Sequence, residues 1–357
     1  MFKHLKITYL FESTTLWGGN KVGIEQAEAL SEIGHEVTML SKDAGPNWYP
    51  VRLPVIQVSN FNAATIPASD IIVGTYWPTV KAAYKSGKGL PVHLCQGYEG
   101  DYKELFHLKA AIDEVYSYKI PKLTISQHLD KFLIEQFNAE TYFIGQMLNR
   151  DIFYPSNNKK WLNLFLKILG LNNLKILIVG PFEVDFKNIS AAIRGVLLAK
   201  KRFKIPIKLI RASQFSLSPG EEEIIKPDAY HFHVPYRNMG EIFRNADLFI
   251  STSKEAEGFG LPALEAMGCG VPTILSRISS YTSFADPQDY ALFVDDTAPE
   301  VLAEAIREIC HNKSLRQRLI SRGLAVAETF TKEKVLQRIQ NAFENILDRD
   351  NPSKPER

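Results

Sequence analysis

The chain has 357 residues, of which 45% are hydrophobic and 23% charged, and its formal net charge is +2. Such a length exceeds one ordinary core and predicts two domains, while the composition excludes disordered and fibrous classes. The near-neutral balance leaves no global field for nucleic acid, so any anion site must be local.

Three scattered cysteines, Cys95, Cys269 and Cys310, form neither a zinc spacing nor a disulfide framework and suit a reducing cytosol. The opening MFKHLKITYLFES has too short an apolar run for a signal peptide, with Glu12 close behind. The nearest approach to a membrane span, WLNLFLKILGLNNLKILIVG, is broken by Asn163, Lys167, Asn172, Asn173 and Lys175. A cytoplasmic protein is expected.

In chain order, LKITYLF (residues 5–11) reads as a buried strand. A loop with Gly18 and Gly19 follows, then a helical stretch with Asn20 as N-cap and Gly34 as its stop. HEVTMLS is the next strand, completing a β-loop-α-β unit with a right-handed crossover. DIIVGT and PVHLCQ add further strands. The same plan restarts at Leu174, with LKILIVG, a loop through Lys187, the helical NISAAIRGVLLAKKR and the strand PIKLIRA. DLFIST and VPTILS follow, and a last helix runs from about Lys332 to Leu347. Two doubly wound α/β domains are predicted, residues 1–155 and 156–331, with the boundary near Pro155 and a flexible tail over 348–357. In such sheets ligands sit beyond the carboxyl ends of the strands, and two domains facing each other would share a cleft.

The stretch EAEGFGLPALEAMGCG (residues 255–270) lies just after the predicted strand DLFIST. Gly258 and Gly260 let a ligand approach the backbone, and Pro262 suits the first turn of a short helix. Amides at that helix start suit a phosphate. Glu265, one turn in, could accept hydrogen bonds from ribose hydroxyls, and Glu257 would meet a sugar beyond the phosphates. GFGLPA also fits a G-x-G-x-x-A dinucleotide pattern, although Pro262 and Glu257 suit that poorly, and the glutamates could be plain solvated helix charge.

The block Glu257–Pro272, EGFGLPALEAMGCGVP, resembles the retaining nucleotide-sugar glycosyltransferases of family 4, whose hallmark is two glutamates separated by seven residues. Weaker likeness extends over most of the chain. The resemblance implies the GT-B architecture: two Rossmann-like domains across a cleft, an acceptor-side first domain and a donor-binding second one. The last helix, about 332–347, would pack back onto the first. By the same resemblance, Glu257 and the amides of Gly258, Phe259 and Gly260 contact the donor sugar. Glu265 contacts the ribose, and the amides around Leu261 the diphosphate. Lys187 is a cation on the diphosphate, and the Gly18-Gly19 loop approaches phosphates and acceptor.

Two positions depart from the pattern. Where the family has an arginine after the strand glycine, this chain has Gly180-Pro181-Phe182, leaving Arg211 as a substitute by position. Where the family has a histidine at the end of the fourth strand, VHLCQGYEGDY offers Gln96 and Glu99, with His93 further back. The activity implied is metal-independent transfer of a hexose-type sugar from a nucleoside-diphosphate donor to a glycan or glycolipid acceptor, the sugar nucleotide being substrate rather than cofactor. A nucleotide-sugar epimerase or hydrolase of the same fold, or an inactive binding subunit, would carry the same block. His231 and His233 lack a third ligand, so no metal site is predicted. Lys81, Lys85 and Lys88 suit either an anionic membrane surface or plain solvation. Trp77, in TYWP, could stack on a sugar face.

Overall fold

The computed structural model describes residues 3–156 and 173–349. The chain divides into two compact units, Met1–Met147 with Lys332–Arg357, and Leu148–Thr331. The division falls at Leu148, earlier than the predicted boundary near Pro155. The predicted tail beyond Arg349 and the apolar stretch over 157–172 lie outside the described residues.

The first unit is a parallel sheet of order β3-β2-β1-β4-β5-β6-β7. Its strands are β1 (Lys6–Phe11), β2 (Glu36–Ser41), β3 (Val55–Gln57), β4 (Ile71–Gly74), β5 (Leu90–Cys95), β6 (Lys122–Thr124) and β7 (Thr141–Phe143). Helices α1 (Gly18–Glu32), α2 (Trp77–Ser86), α3 (Lys109–Tyr116) and α4 (Gln127–Phe137) connect them. β1 is apolar nearly throughout because a central parallel strand is covered on both faces; Ile7, Tyr9, Leu10 and Phe11 are all buried. α1 begins at Gly18, with Trp17 in extended conformation as its N-cap. Asn20 is therefore helical rather than a cap, and its side chain donates back to Thr15 O at 2.8 Å. The short edge strand β3 was not foreseen, so the predicted fourth strand is β5.

The C-terminal helix Lys332–Arg349 belongs to this unit. It buries Val335, Leu336, Ile339, Phe343 and Ile346. Lys332 pairs with Glu32, Arg349 reaches Glu140 at 2.6 Å, and Arg338 donates to Ile144 O.

The second unit repeats the plan, with sheet order β10-β9-β8-β11-β12-β13. The strands are β8 (Leu174–Val179), β9 (Ile207–Ser213), β10 (Ala229–Phe232), β11 (Leu248–Ser251), β12 (Thr273–Ser276) and β13 (Leu292–Val294). The helices are α5 (Ile189–Phe203), α6 (Pro219–Ile224), α7 (Tyr236–Asn245), α8 (Leu261–Gly268), α9 (Ser279–Thr282), α10 (Pro299–His311) and α11 (Lys313–Ala327). In each sheet the strand order reverses once, between β1 and β4 and between β8 and β11. A crevice opens at such a switch point, outside the carboxyl ends of the two strands. Gly18, Gly19, Lys187 and Glu257 follow β1, β8 and β11, Gln96 and Glu99 follow β5, Glu265 lies within α8, and Arg211 lies within β9.

Candidate active site

In the second unit, the loops after β8 and β11 lie side by side at the switch point. Four links lock them together. Lys254 N donates to Phe186 O at 2.7 Å, Thr252 Oγ1 to Asn188 O at 2.7 Å, Lys254 Nζ to Asp185 at 3.0 Å, and Lys187 Nζ to Glu257 Oε2 at 2.6 Å. Asn188 adopts a left-handed conformation, φ 49°, and starts α5, so Lys187 projects from a fixed turn rather than a floppy loop.

Glu257 is 7% exposed and also accepts from Ser253 Oγ at 2.9 Å. Behind that serine, the Tyr281 hydroxyl lies 3.1 Å from Ser253 Oγ and 2.6 Å from Ser251 Oγ. Burial, and then the Glu257 carboxylate, push the Tyr281 phenol above its ordinary value, so it stays a donor. The Ser251, Ser253 and Tyr281 hydroxyls were not singled out from the sequence; nothing in their local spacing marks a relay assembled from the end of β11, the loop after it and a helix.

Gly260 caps α8 with φ 91°, and a Cβ there would lie 2.1 Å from the Tyr281 ring. The glycine thus fixes the turn that starts α8: its carbonyl accepts from Ala263 N at 2.9 Å, Pro262 has no N–H, and Leu261 N is the first amide of the helix. Phe259 is buried against Phe284 and Phe330, with ring centroids 4.9 and 5.4 Å away, so only its backbone can meet a ligand. At the other end of α8, Arg150 donates to Gly268 O at 2.9 Å, a cation placed on the carbonyl end of the helix dipole. Glu265 is 7% exposed on the same helix.

Arg211 is a correction. Its side chain is fully buried and holds Glu221 through Nε at 2.6 Å and Nη2 at 3.2 Å. It also donates to Ile178 O at 2.7 Å and Gly180 O at 2.9 Å. With its fork committed inside the sheet, Arg211 cannot reach a diphosphate.

In the first unit, Gly18 and Gly19 form the first turn of α1, and Gln96 Nε2 donates to Gly19 O at 3.1 Å. The β5 end is thereby tied to the start of α1. Gln96 Oε1 and Glu12 Oε2 are buried acceptors with no hydrogen-bond partner among the described residues, and they stand at the ends of β5 and β1. Asp43, unremarked in the sequence, holds the β1–α1 loop: it accepts from Thr14 N at 2.9 Å, Thr14 Oγ1 at 2.9 Å and Ser41 Oγ at 2.6 Å. Burial would raise its carboxyl, but these bonds outweigh that and hold it below the usual range.

Glu99 is not open to a ligand in the way its position suggested, since its carboxyl is turned onto the buried Tyr116 hydroxyl. That hydroxyl also lies 2.7 Å from Gly97 O. The Tyr116 hydroxyl thus faces two acceptors, Glu99 and Gly97 O, with one proton to share between them. Burial pushes Glu99 up to about 7, against the opposing hydrogen bond from Tyr116. Between the ordinary value of 4.5 and 7 the folded carboxyl keeps a proton that the unfolded one has lost, so stability falls as pH rises through that window. The expected loss is about 3 kcal/mol by pH 8. Urea unfolding of the wild type and Glu99→Gln at pH 5 and pH 8 checks it: the glutamine variant should gain on the wild type by that amount at the higher pH. Parallel profiles would refute it.

The family model described as Glycosyl transferases group 1 matches residues 222–326. That stretch holds Glu257, α8 and Glu265, while Lys187 lies upstream of it. Among curated proteins, the O-antigen chain mannosyltransferase B of Escherichia coli is 32% identical over 114 residues, covering 32% of this chain and 29% of that protein. N-acetyl-alpha-D-glucosaminyl L-malate synthase of Bacillus anthracis is 30% identical over 120 residues, 33% of this chain and 31% of that one. The chain thus matches about a third of the length of these relatives. Solved structures extend the likeness beyond the group 1 match. Sucrose-phosphate synthase from Thermosynechococcus elongatus superposes with a TM-score of 0.74 at 16% identity, over 96% of this chain and 99% of that one. Anabaena Alr3699/HepE in complex with UDP-glucose gives 0.76 at 13% identity, over 96% and 100%. The fold is GT-B, and the group 1 match lies within its second unit.

Among the described residues no three His, Cys, Asp or Glu side chains gather as a metal site, and no helix is long and apolar enough to cross a membrane.

Proposed function

We propose that this chain is a retaining glycosyltransferase that moves a hexose-type sugar from a nucleoside diphosphate to an acceptor hydroxyl in polysaccharide or glycolipid synthesis. The observation that carries the proposal is the Lys187–Glu257 pair at the β8/β11 switch point, set beside the first turn of α8. An ammonium and a set of helix-start amides suit a diphosphate, and a carboxylate beside them suits sugar hydroxyls.

In the reaction, the bond from the sugar's anomeric carbon to the diphosphate breaks and the acceptor oxygen bonds that carbon on the same face. The acceptor's proton passes to the departing phosphate oxygen. Lys187 and the α8 amides stabilise the charge that develops there, with no metal called for. Glu257 orients the sugar, and Glu265 takes the ribose. On the first unit, the unpartnered oxygens of Gln96 and Glu12 need hydrogen-bond donors, which fits a hydroxyl-rich acceptor. A lipid-linked acceptor would bring the protein to an anionic membrane surface, where Lys81, Lys85 and Lys88 would assist.

The test is a thermal-shift panel of UDP, GDP, ADP and their sugars, run with chelator on the wild type and on Glu265→Ala. A ligand at a hundredfold its Kd adds about 2.7 kcal/mol, a rise of roughly 5–10 °C for a unit of this size. One nucleobase series should stabilise the wild type, and Glu265→Ala should bind it roughly tenfold to a hundredfold more weakly, having lost bonds to a charged acceptor. No shift with any of them would sink the donor assignment, and an unchanged affinity in Glu265→Ala would remove the ribose role. Turnover of the sugar nucleotide without acceptor would favour hydrolysis or epimerisation.

A further inference from the structure

The interior Arg211–Glu221 pair occupies a place with no evident need for charge: a central strand packed on both sides. Its bonds show what it does there. The guanidinium donates to Ile178 O, one residue before the end of β8, and to Gly180 O, one residue after it. Gly180 turns the chain out of the sheet with φ 128°, and its N–H is held by Ala212 O at 2.9 Å. The open side of Gly180 is covered by the Lys187 side chain, whose Cγ and Cδ lie 3.7 Å from where a Cβ would stand. Glu221 is itself fixed: it sits in the first turn of α6, where Ser218 Oγ accepts from its N–H at 3.3 Å. The neighbouring Gly220 lies under Phe182 of the same loop, a Cβ there coming 3.4 Å from the ring.

We infer that Arg211 and Glu221 are positioning residues that brace the Gly180–Lys187 loop from inside the sheet, and so hold Lys187 for the diphosphate-binding role proposed above. Glu221 anchors the guanidinium, the guanidinium anchors Gly180, and Gly180 seats the stem of Lys187 beside Glu257. The cation that lies nearest in sequence terms to a phosphate ligand thus acts through a lysine rather than on the phosphate. A planar fork suits this task, because it can satisfy a carboxylate and two carbonyls at once.

Removing Arg211 alone would strand the Glu221 carboxylate in the interior, so the informative variant is the full chain carrying Arg211→Met with Glu221→Leu, which replaces the pair by apolar groups of similar volume. Hydrogen exchange reads the brace without any ligand: the amides of Gly180 and Phe182–Asn188 should exchange at least tenfold faster than in the wild type, with those of the Thr252–Gly260 loop much less affected. A folded double variant with unchanged exchange at Gly180 and Phe182–Asn188 overturns the inference. Affinity for whichever of UDP, GDP or ADP the wild type binds should fall about tenfold, and kcat with it, while the acceptor KM stays put. Repeated in a Lys187→Ala background, the same double change should cost almost nothing further; an undiminished loss there shows that the pair does not act through Lys187 and also overturns it. A wild type that binds no nucleotide refutes the proposed function, and the exchange measurement still decides the brace.

Discussion

Replacing Glu257 by glutamine should lower kcat by about 100-fold or more, roughly 2.7 kcal/mol of transition-state stabilisation, with a smaller change in donor KM. The side chain keeps its shape but loses its charge. In the wild type one carboxylate oxygen, Oε2, takes both the Lys187 ammonium at 2.6 Å and the Ser253 hydroxyl at 2.9 Å. An amide oxygen at that place can still accept from both groups, but as a neutral acceptor, and the NH2 group replaces the second carboxylate oxygen by a donor. The relay from Tyr281 through Ser253 then ends on an uncharged group, and Lys187 loses the negative charge that holds its ammonium. A preorganised array of this kind acts through its fixed geometry, and removal of one member typically costs two to three orders of magnitude. Steady-state kinetics with the donor found in the thermal-shift panel decides the matter. A kcat within threefold of wild type would remove Glu257 from the chemistry; a raised donor KM at unchanged kcat would make it a plain binding residue.

Gly260→Ala should be among the most damaging single-methyl substitutions in the second unit. Two independent costs meet there. The backbone sits at φ 91°, where a side chain adds about 1–2 kcal/mol, and the new Cβ would be driven to 2.1 Å from the Tyr281 ring, which adds about 1–3 kcal/mol of overpacking. Tyr281 has nowhere to retreat, since its ring is buried, its hydroxyl is bound to Ser251, and its carbonyl accepts from Tyr290 at 2.6 Å. The variant should melt roughly 5–15 °C lower, and the survivors at low temperature should have lost most affinity for the nucleoside diphosphate because the α8 turn has shifted. Calorimetry and ligand titration on the same sample check both halves; a Tm within 2 °C of wild type would refute the steric account.

The reach of the sequence differed between elements for physical reasons. β1, β2, β8 and β9 each carry six or seven residues with an apolar run that only a strand buried on both faces tolerates, so they read clearly. β3, β6, β7 and β13 have three residues apiece, too few for a period to show. The Glu257–Glu265 block was legible because its parts are contiguous: glycine turn, Pro262, short helix. The contact between Glu257 and Lys187 spans 70 positions and was reachable only through the family resemblance. Arg211 misled because strand alternation says which face a residue takes but not whether a carboxylate waits there. The clue was Ser218-Pro219-Gly220-Glu221, a helix-start signature that places Glu221 at the first turn of α6, close enough to neutralise a buried guanidinium. Glu99 stood correctly at a strand end, yet Tyr116, seventeen residues on, took its carboxyl out of service.

The C-terminal helix has a consequence for how the molecule is made. The first unit contains both β1–β7 and Lys332–Arg349, so on a ribosome that emits residues in order, the sheet of β1–β7 waits without Val335, Ile339, Phe343 and Ile346 until the whole second unit has been made. The second unit, continuous in sequence, has all its pieces first. The usual amino-to-carboxyl order of domain completion is thus inverted here. A stop codon, frameshift or protease nick near residue 332 would therefore show its damage in the half of the protein that was synthesised earliest.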